Sequence, residues 1–204
     1  CFVEDGWYPE VLRAHKDDRA VIGGAISPGS YRRWLDWAVY FCEYARFMPP
    51  FSGAKDALPG NHVAYKRTSL PLLKEEQGFY EVFFHSEWLR SGGKLIADPS
   101  LVVKNVNQWS VRHITRLPFH HGRAFAGMRA ESYSTPRKML YTILSLGLPL
   151  VKMARLAGEI TKRRRFITEF ILSLPWTMIF LMSWSFGELI GYASGSGRSA
   201  GAGR

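Results

Sequence analysis

The chain has 204 residues, enough for one substantial domain or for a domain with an appendage. Its two cysteines, Cys1 and Cys42, exclude a disulfide framework and read as reduced thiols. The net charge of +10 is uneven: residues 1–101 carry 12 Lys/Arg against 13 Asp/Glu, and residues 102–204 carry 15 against 4, so the second half is the part suited to a polyanion.

Cys1 to Trp7 opens without a cap or a strand of its own, and the chain is expected to be a piece of a longer protein. Tyr8-Pro9 with Glu10, Val11, Leu12 and Ala14 predicts a short helix, with Pro9 tolerated in the first turn. Ala20 to Ile26 is an apolar run bounded by Asp17-Asp18 and Pro28-Gly29, and predicts a buried strand whose glycines permit close backbone approach. A second helix is expected from Ser30, as its cap, to Phe47, stopped by Pro49-Pro50. Its stripe of Trp34, Trp37, Ala38, Phe41, Tyr44 and Ala45 reads as core.

Leu58-Pro59-Gly60-Asn61 marks a turn, and Val63 and Tyr65 alternate with polar neighbours as on a strand. His62 reads as a loop residue, because no partner stands at metal-ligand spacing. Gly78 to Gly93 predicts an aromatic-rich helix with Phe79, Val82 and Phe83 toward a core, Glu81 in the first turn and the glycine pair as the stop. On this reading alone Glu81 is a helix-capping carboxylate. Lys94–Ala97 and Leu101–Val103 read as two short strands around a Pro99-Ser100 turn.

Val111 to Ala130 is basic, with Arg112, His113, Arg116, His120, His121, Arg123 and Arg129. Met139 to Val151 is uncharged and suits an interfacial or re-entrant helix. Lys162 to Arg165 is a basic run. Phe170 to Phe186 is apolar, reaches about 25 Å as a helix and contains Pro175, Trp176 and Trp184. Basic residues before an apolar run with tryptophans near its ends follow membrane logic, with a buried core helix as the competing reading. The positive-inside rule places residues 152–165 and the preceding half on the cytoplasmic side. Ser194 to Arg204 is Gly/Ser/Ala-rich and is expected to be disordered.

Several ordered points together resemble the family-2 glycosyltransferases of the GT-A type. These are the Gly23-Gly24 strand, the Pro59-Gly60-Asn61 turn, the Glu81–Gly92 helix, the Gly122-Arg123 segment and the Gly187-Glu188 ending. In that family an acidic pair precedes an amphipathic helix, and its second acid lies eleven residues before a glycine, as Glu81 does before Gly92. Tyr80 stands where the family has the first acid. The resemblance implies that Glu81 is the general base, that Gly60, Asn61 and Tyr80 line the acceptor and sugar, and that Arg123, with His120 and His121, contacts the diphosphate. It implies a nucleotide-sugar donor and a sugar, lipid or polysaccharide acceptor. It also implies Mg²⁺ or Mn²⁺ held by an Asp-x-Asp-type motif before Cys1, with no metal ligand in this chain. Glu4-Asp5 matches the family's segment just after that motif and not the motif itself. The motif of processive members would fall on Thr115, Pro118 and Phe119, and only the aromatic is kept.

The expected fold is α/β overall and α+β within this chain. Residues 1–135 would form the acceptor-side part of a GT-A domain, residues 136–193 interfacial and transmembrane helices, and residues 194–204 a disordered tail. Such a piece alone is expected to be inactive. The alternative is a non-catalytic, basic membrane-anchored docking module. Nucleic acid is not an expected partner, because the basic residues flank apolar runs instead of interleaving with exposed aromatics.

Overall fold

The structure, a computed structural model, describes residues 1–15, 19–29, 31–72 and 81–201. It is mixed α+β and mostly helical. In chain order the elements are α1 (Trp7–Ala14), β1 (Val21–Pro28), α2 (Trp34–Tyr44), β2 (Gly53–Lys55), β3 (Val63–Tyr65), α3 (Glu81–Arg90), β4 (Leu95–Asn105), α4 (Val111–Ala130), α5 (Thr135–Leu144), α6 (Leu148–Arg163) and α7 (Ile167–Ser194). Short 3-10 turns lie at Ala45–Phe47, Arg67–Leu72, Ser145–Gly147 and Gly197–Gly201. Two compact units result: Cys1–Ser30 with Arg46–Val106, and Tyr31–Ala45 with Asn107–Arg204. Residues 107–135 group with the second unit, because the basic helix α4 packs on α7.

The first unit is built on a four-stranded mixed sheet of order β2-β4-β1-β3. β1 is parallel to β4 and antiparallel to β3, and β2 is antiparallel to β4. Val21, Ile22 and Ile26 of β1 are fully buried, as a central strand covered on both faces requires. Leu95–Asn105 is one strand and not the expected pair. Its register to β1 jumps between Ala97 and Val102, so Asp98-Pro99-Ser100 is a bulge inside β4 and not a turn between strands. Asp98 holds that bulge: its Oδ1 accepts from the Ser100 N–H at 3.0 Å and from the Ser100 hydroxyl at 2.7 Å, and Arg19 pairs with Oδ2 at 3.3 Å. Gly24 is required opposite the bulge, because a Cβ there would run into the Leu101 backbone.

In the second unit α7 is the central helix, packed by α2, α4, α5 and α6. α4 and α7 run parallel in backbone contact. Successive levels pair Thr115 with Ser183, Phe119 with Gly187, Arg123 with Gly191 and Gly127 with Ser196. Gly122 on α4, and Gly187 and Gly191 on α7, make this approach possible, since a Cβ on any of them would meet the opposite backbone. Leu35, Ala38 and Val39 of α2 close one core with Ile114, Phe180 and Leu181. Tyr133, Tyr141 and Tyr192 close another. Ser110 caps α4 in a reciprocal pair with His113.

Three further expectations change. The second helix begins at Trp34 behind Arg33, whose guanidinium is held by Asp36 at 2.5 and 3.0 Å; Ser30 lies outside the described residues. On α3 the buried residues are Phe84 and His85, while Val82 and Phe83 are exposed at 46% and 41%. Phe79 lies outside the described residues. Residues 195–201 are ordered where composition suggested disorder: Gly197–Gly201 is a 3-10 turn, and Ser199 is buried. Specific hydrogen bonds to α4 outweigh the conformational entropy that a Gly/Ser segment loses on ordering.

Candidate active site and basic helix

The site in the first unit is built from a turn and a helix start. The turn closes through the His62 N–H to the Pro59 carbonyl at 2.9 Å. His62 is buried and pins the turn to the middle of β1. Its Nδ1 bonds the Ala25 carbonyl at 3.2 Å, and its Nε2 accepts the Trp7 indole N–H at 3.0 Å. Both ring nitrogens are thus satisfied only in the neutral Nδ1–H form. Burial pulls its pKa down to about 4.

Glu81 is the first described residue of α3 and half-buried; it lies in the first turn, where the helix macrodipole favours a carboxylate. Its side chain lies directly on Gly60: a Cβ at Gly60 would sit 2.5 Å from the Glu81 Cδ and Oε1. Turn and acid therefore converge, and Gly60 is the residue that lets them. Asn61 is exposed next to them, with its amide nitrogen 3.2 Å from the Cys1 thiol. Tyr80 lies outside the described residues. The far end of the helix stops at Gly92 in the left-handed region, φ +86°, with the Gly93 N–H returning to the Trp88 carbonyl at 2.9 Å.

Two neighbours of Glu81 escaped the sequence reading. The Tyr65 hydroxyl lies 3.0 Å from His85 Nε2, and burial and the Glu81 charge both push the Tyr65 phenol up. His85 is buried and neutral, with burial lowering its pKa to about 4. The signal was the spacing: His85 stands four residues after Glu81, one helical turn on. The arrangement offers a carboxylate that can accept a proton, beside a phenol–imidazole pair that stays uncharged at neutral pH.

Two neutral, buried histidines in one unit make its stability depend on pH. Their folded pKa lies below the unfolded value of about 6.5, so the unfolded chain binds more protons between about pH 6.5 and pH 4. Stability is therefore complete above pH 6.5 and falls as the pH drops through that window, by on the order of 3 kcal/mol per histidine. Thermal melts between pH 7 and pH 4.5 measure this. His62→Gln and His85→Gln should each flatten the dependence; an unchanged slope in both variants would exclude the histidines as its source.

The other predicted residues belong to the second unit. Arg123 Nε donates to the Gly195 carbonyl at 3.2 Å, and its guanidinium lies against Gly197. His120 Nδ1 is 3.0 Å from the Ser199 hydroxyl. His121 meets the edge of Trp184 at 6.2 Å. The C-terminal segment thus holds two of the three residues read as diphosphate contacts. One further feature stood in the sequence unread: Gly187-x-x-x-Gly191, the spacing that lets two helix backbones meet. Among the described residues no three His, Cys, Asp or Glu side chains are grouped as metal ligands. Glu4 pairs with Lys104 at 2.7 Å.

Two helical stretches among the described residues, Thr135–Arg163 and Ile167–Ser194, are long and apolar enough to cross a membrane. Comparison of the chain with protein-family models, with curated proteins and with solved structures gives no match.

Proposed function

We propose that the chain carries the acceptor side of a membrane-associated glycosyltransferase similar to family 2, with Glu81 as general base. The observation that supports this reading best is the convergence of Glu81 on the Pro59-Gly60-Asn61 turn, two motifs some twenty residues apart in sequence. In the proposed reaction the Glu81 carboxylate takes the proton from an acceptor hydroxyl as that oxygen attacks the anomeric carbon of a nucleotide sugar, with inversion. The carbon–oxygen bond to the diphosphate breaks, and the nucleoside diphosphate leaves with the bonding pair. The described residues provide no ligand set for Mg²⁺ or Mn²⁺, so no step is assigned to a metal held by this chain; on the resemblance that site lies before Cys1. Arg123 on α4 is the proposed diphosphate contact, since guanidinium matches phosphate oxygens in bidentate geometry.

The test uses the intact protein in membranes, with a panel of nucleotide sugars and Mn²⁺. Metal-dependent release of nucleoside diphosphate from one donor is the expected result and names the sugar. A second reading, a non-catalytic membrane-docking module, is favoured by the exposed apolar residues of α5 and the basic run that ends α6. No turnover with any donor, together with binding to anionic vesicles, selects it.

A further inference from the structure

We infer that neither membrane-length helix crosses the bilayer, and that the second unit instead inserts the exposed apolar side of α5 and of the start of α6 into one anionic leaflet. The inference rests on the membrane attachment proposed above and is independent of Glu81.

Crossing is opposed by what surrounds α7. Its C-terminal half is in backbone contact with α4, level by level from Ser183 to Ser196. α4 carries Arg112, Arg116, Arg123 and Arg129, one cation on most turns, so the pair cannot lie in hydrocarbon without burying those charges there. The N-terminal half of α7 packs on α2, through Phe170 against Phe41 and through Phe180 and Leu181 against Leu35, Ala38 and Val39. That helix carries the Arg33–Asp36 ion pair at its start. The apolarity of α7 is therefore that of a bundle's central helix. Its interior is also polar in places: Ser173, Thr177 and Glu188 are buried, and the Glu188 carboxylate takes the Trp184 indole N–H at 2.5 Å with Lys152 3.8 Å away.

The other stretch has few fully buried residues and one exposed side, while Met153, Leu156 and Ile160 turn inward. Its outward residues Met139, Leu140, Ile143, Leu144, Leu146 and Leu150 form an apolar patch, with Leu146 and Leu150 at 70% and 69% exposure. Uncharged sequence runs only from Met139 to Val151, about 20 Å of helix, short of a bilayer core of roughly 30 Å. Within that run lie the 3-10 turn Ser145–Gly147, between α5 and α6, and Pro149 in the first turn of α6. Beyond it Arg155 and Lys162 face outward. Arg137 and Lys138 precede the patch, and the Lys162–Arg165 run comes after it. An apolar face flanked by cations at both ends complements acyl chains under anionic headgroups.

The test adds the purified chain, with Cys1 replaced by Ser, to preformed phosphatidylcholine vesicles with or without 30% phosphatidylglycerol. Flotation should require the anionic lipid. It should fall at least about tenfold in the Leu146→Asp/Leu150→Asp variant, whose changes are at exposed positions and leave the helical circular dichroism unchanged. Arg164→Cys and Ser194→Cys, at opposite ends of α7, should both react with a membrane-impermeant maleimide from outside. Labelling at only one of the two would establish a crossing and overturn the inference. Equal binding to both vesicle types, or an apolar patch covered by a second copy of the chain in a dimer that ignores vesicles, would also overturn it. None of these outcomes is read from release of nucleoside diphosphate, so failure here is separable from failure of the enzymatic reading.

Discussion

Glu81→Gln is expected to lower sugar transfer by the intact protein about 10²–10⁴-fold, the range that a positioned general base supplies. The amide has nearly the same size as the carboxylate, so it keeps the contact with Gly60 and the start of α3. What it loses is the capacity to accept the acceptor's proton. Donor binding should be preserved, because the amide keeps the size of the side chain and the proposed diphosphate contact is a different residue, Arg123. The readout is initial rate against donor concentration, with kcat falling and KM for the donor little changed. Glu81→Asp should lie between wild type and Gln, since it keeps the charge but withdraws it by one methylene. Near-normal turnover by Glu81→Gln would remove Glu81 from the chemistry and leave it as a helix-start carboxylate.

Gly191→Leu should be the most destabilising single substitution in the second unit, by about 3 kcal/mol or more. A Cβ at Gly191 would stand 2.5 Å from the Arg123 carbonyl, 2.7 Å from the Ala126 Cβ and 3.0 Å from the Gly127 nitrogen. Two of these are backbone atoms in the middle of a helix and cannot swing aside. The substitution must therefore separate α4 from α7, and it would take apart the contacts of Ala126 and Tyr192 as well. Gly158→Ala is the matched control. Nothing lies within 4 Å of a Cβ there, and replacing an exposed helical glycine should stabilise by roughly 0.5–1 kcal/mol. Chemical denaturation followed by far-ultraviolet circular dichroism compares the two. A Gly191→Leu variant as stable as wild type would mean that the glycines are not what brings the helices together.

Much of the local structure was legible residue by residue. The helix stop at Gly92 follows from glycine's access to positive φ, and the buried strand at Val21–Ile26 follows from an unbroken apolar run between turn residues. The basic segment Val111–Ala130 forms one helix of those bounds, because Ser110 and His113 cap it where polar residues meet the periodic stretch. Other features were not legible because they depend on partners distant in sequence. The bulge in β4 looks like a turn between two strands, since Asp98-Pro99-Ser100 has turn chemistry; only pairing with β1 makes it one continuous strand. The outward side of α3 at Val82 and Phe83 was misread because a ten-residue aromatic helix offers several apolar faces, and the sheet selects the one with Phe84.

The same division holds for the site and for the long helices. Sequence alone determined that Glu81 lies in the first turn of a helix, that Gly60-Asn61 is a turn, and that two stretches are apolar enough for a membrane, because each depends on neighbours within a few residues. Only the tertiary structure decided that Glu81 rests on Gly60, that Tyr65 comes near Glu81 with its hydroxyl on His85, and that His120 and Arg123 are held by residues 195–199. It alone set the basic α4 against Gly187 and Gly191. Hydropathy averages over all sides of a helix, whereas a glycine notch and the backbone that fills it lie on one side and come from segments some 65 residues apart.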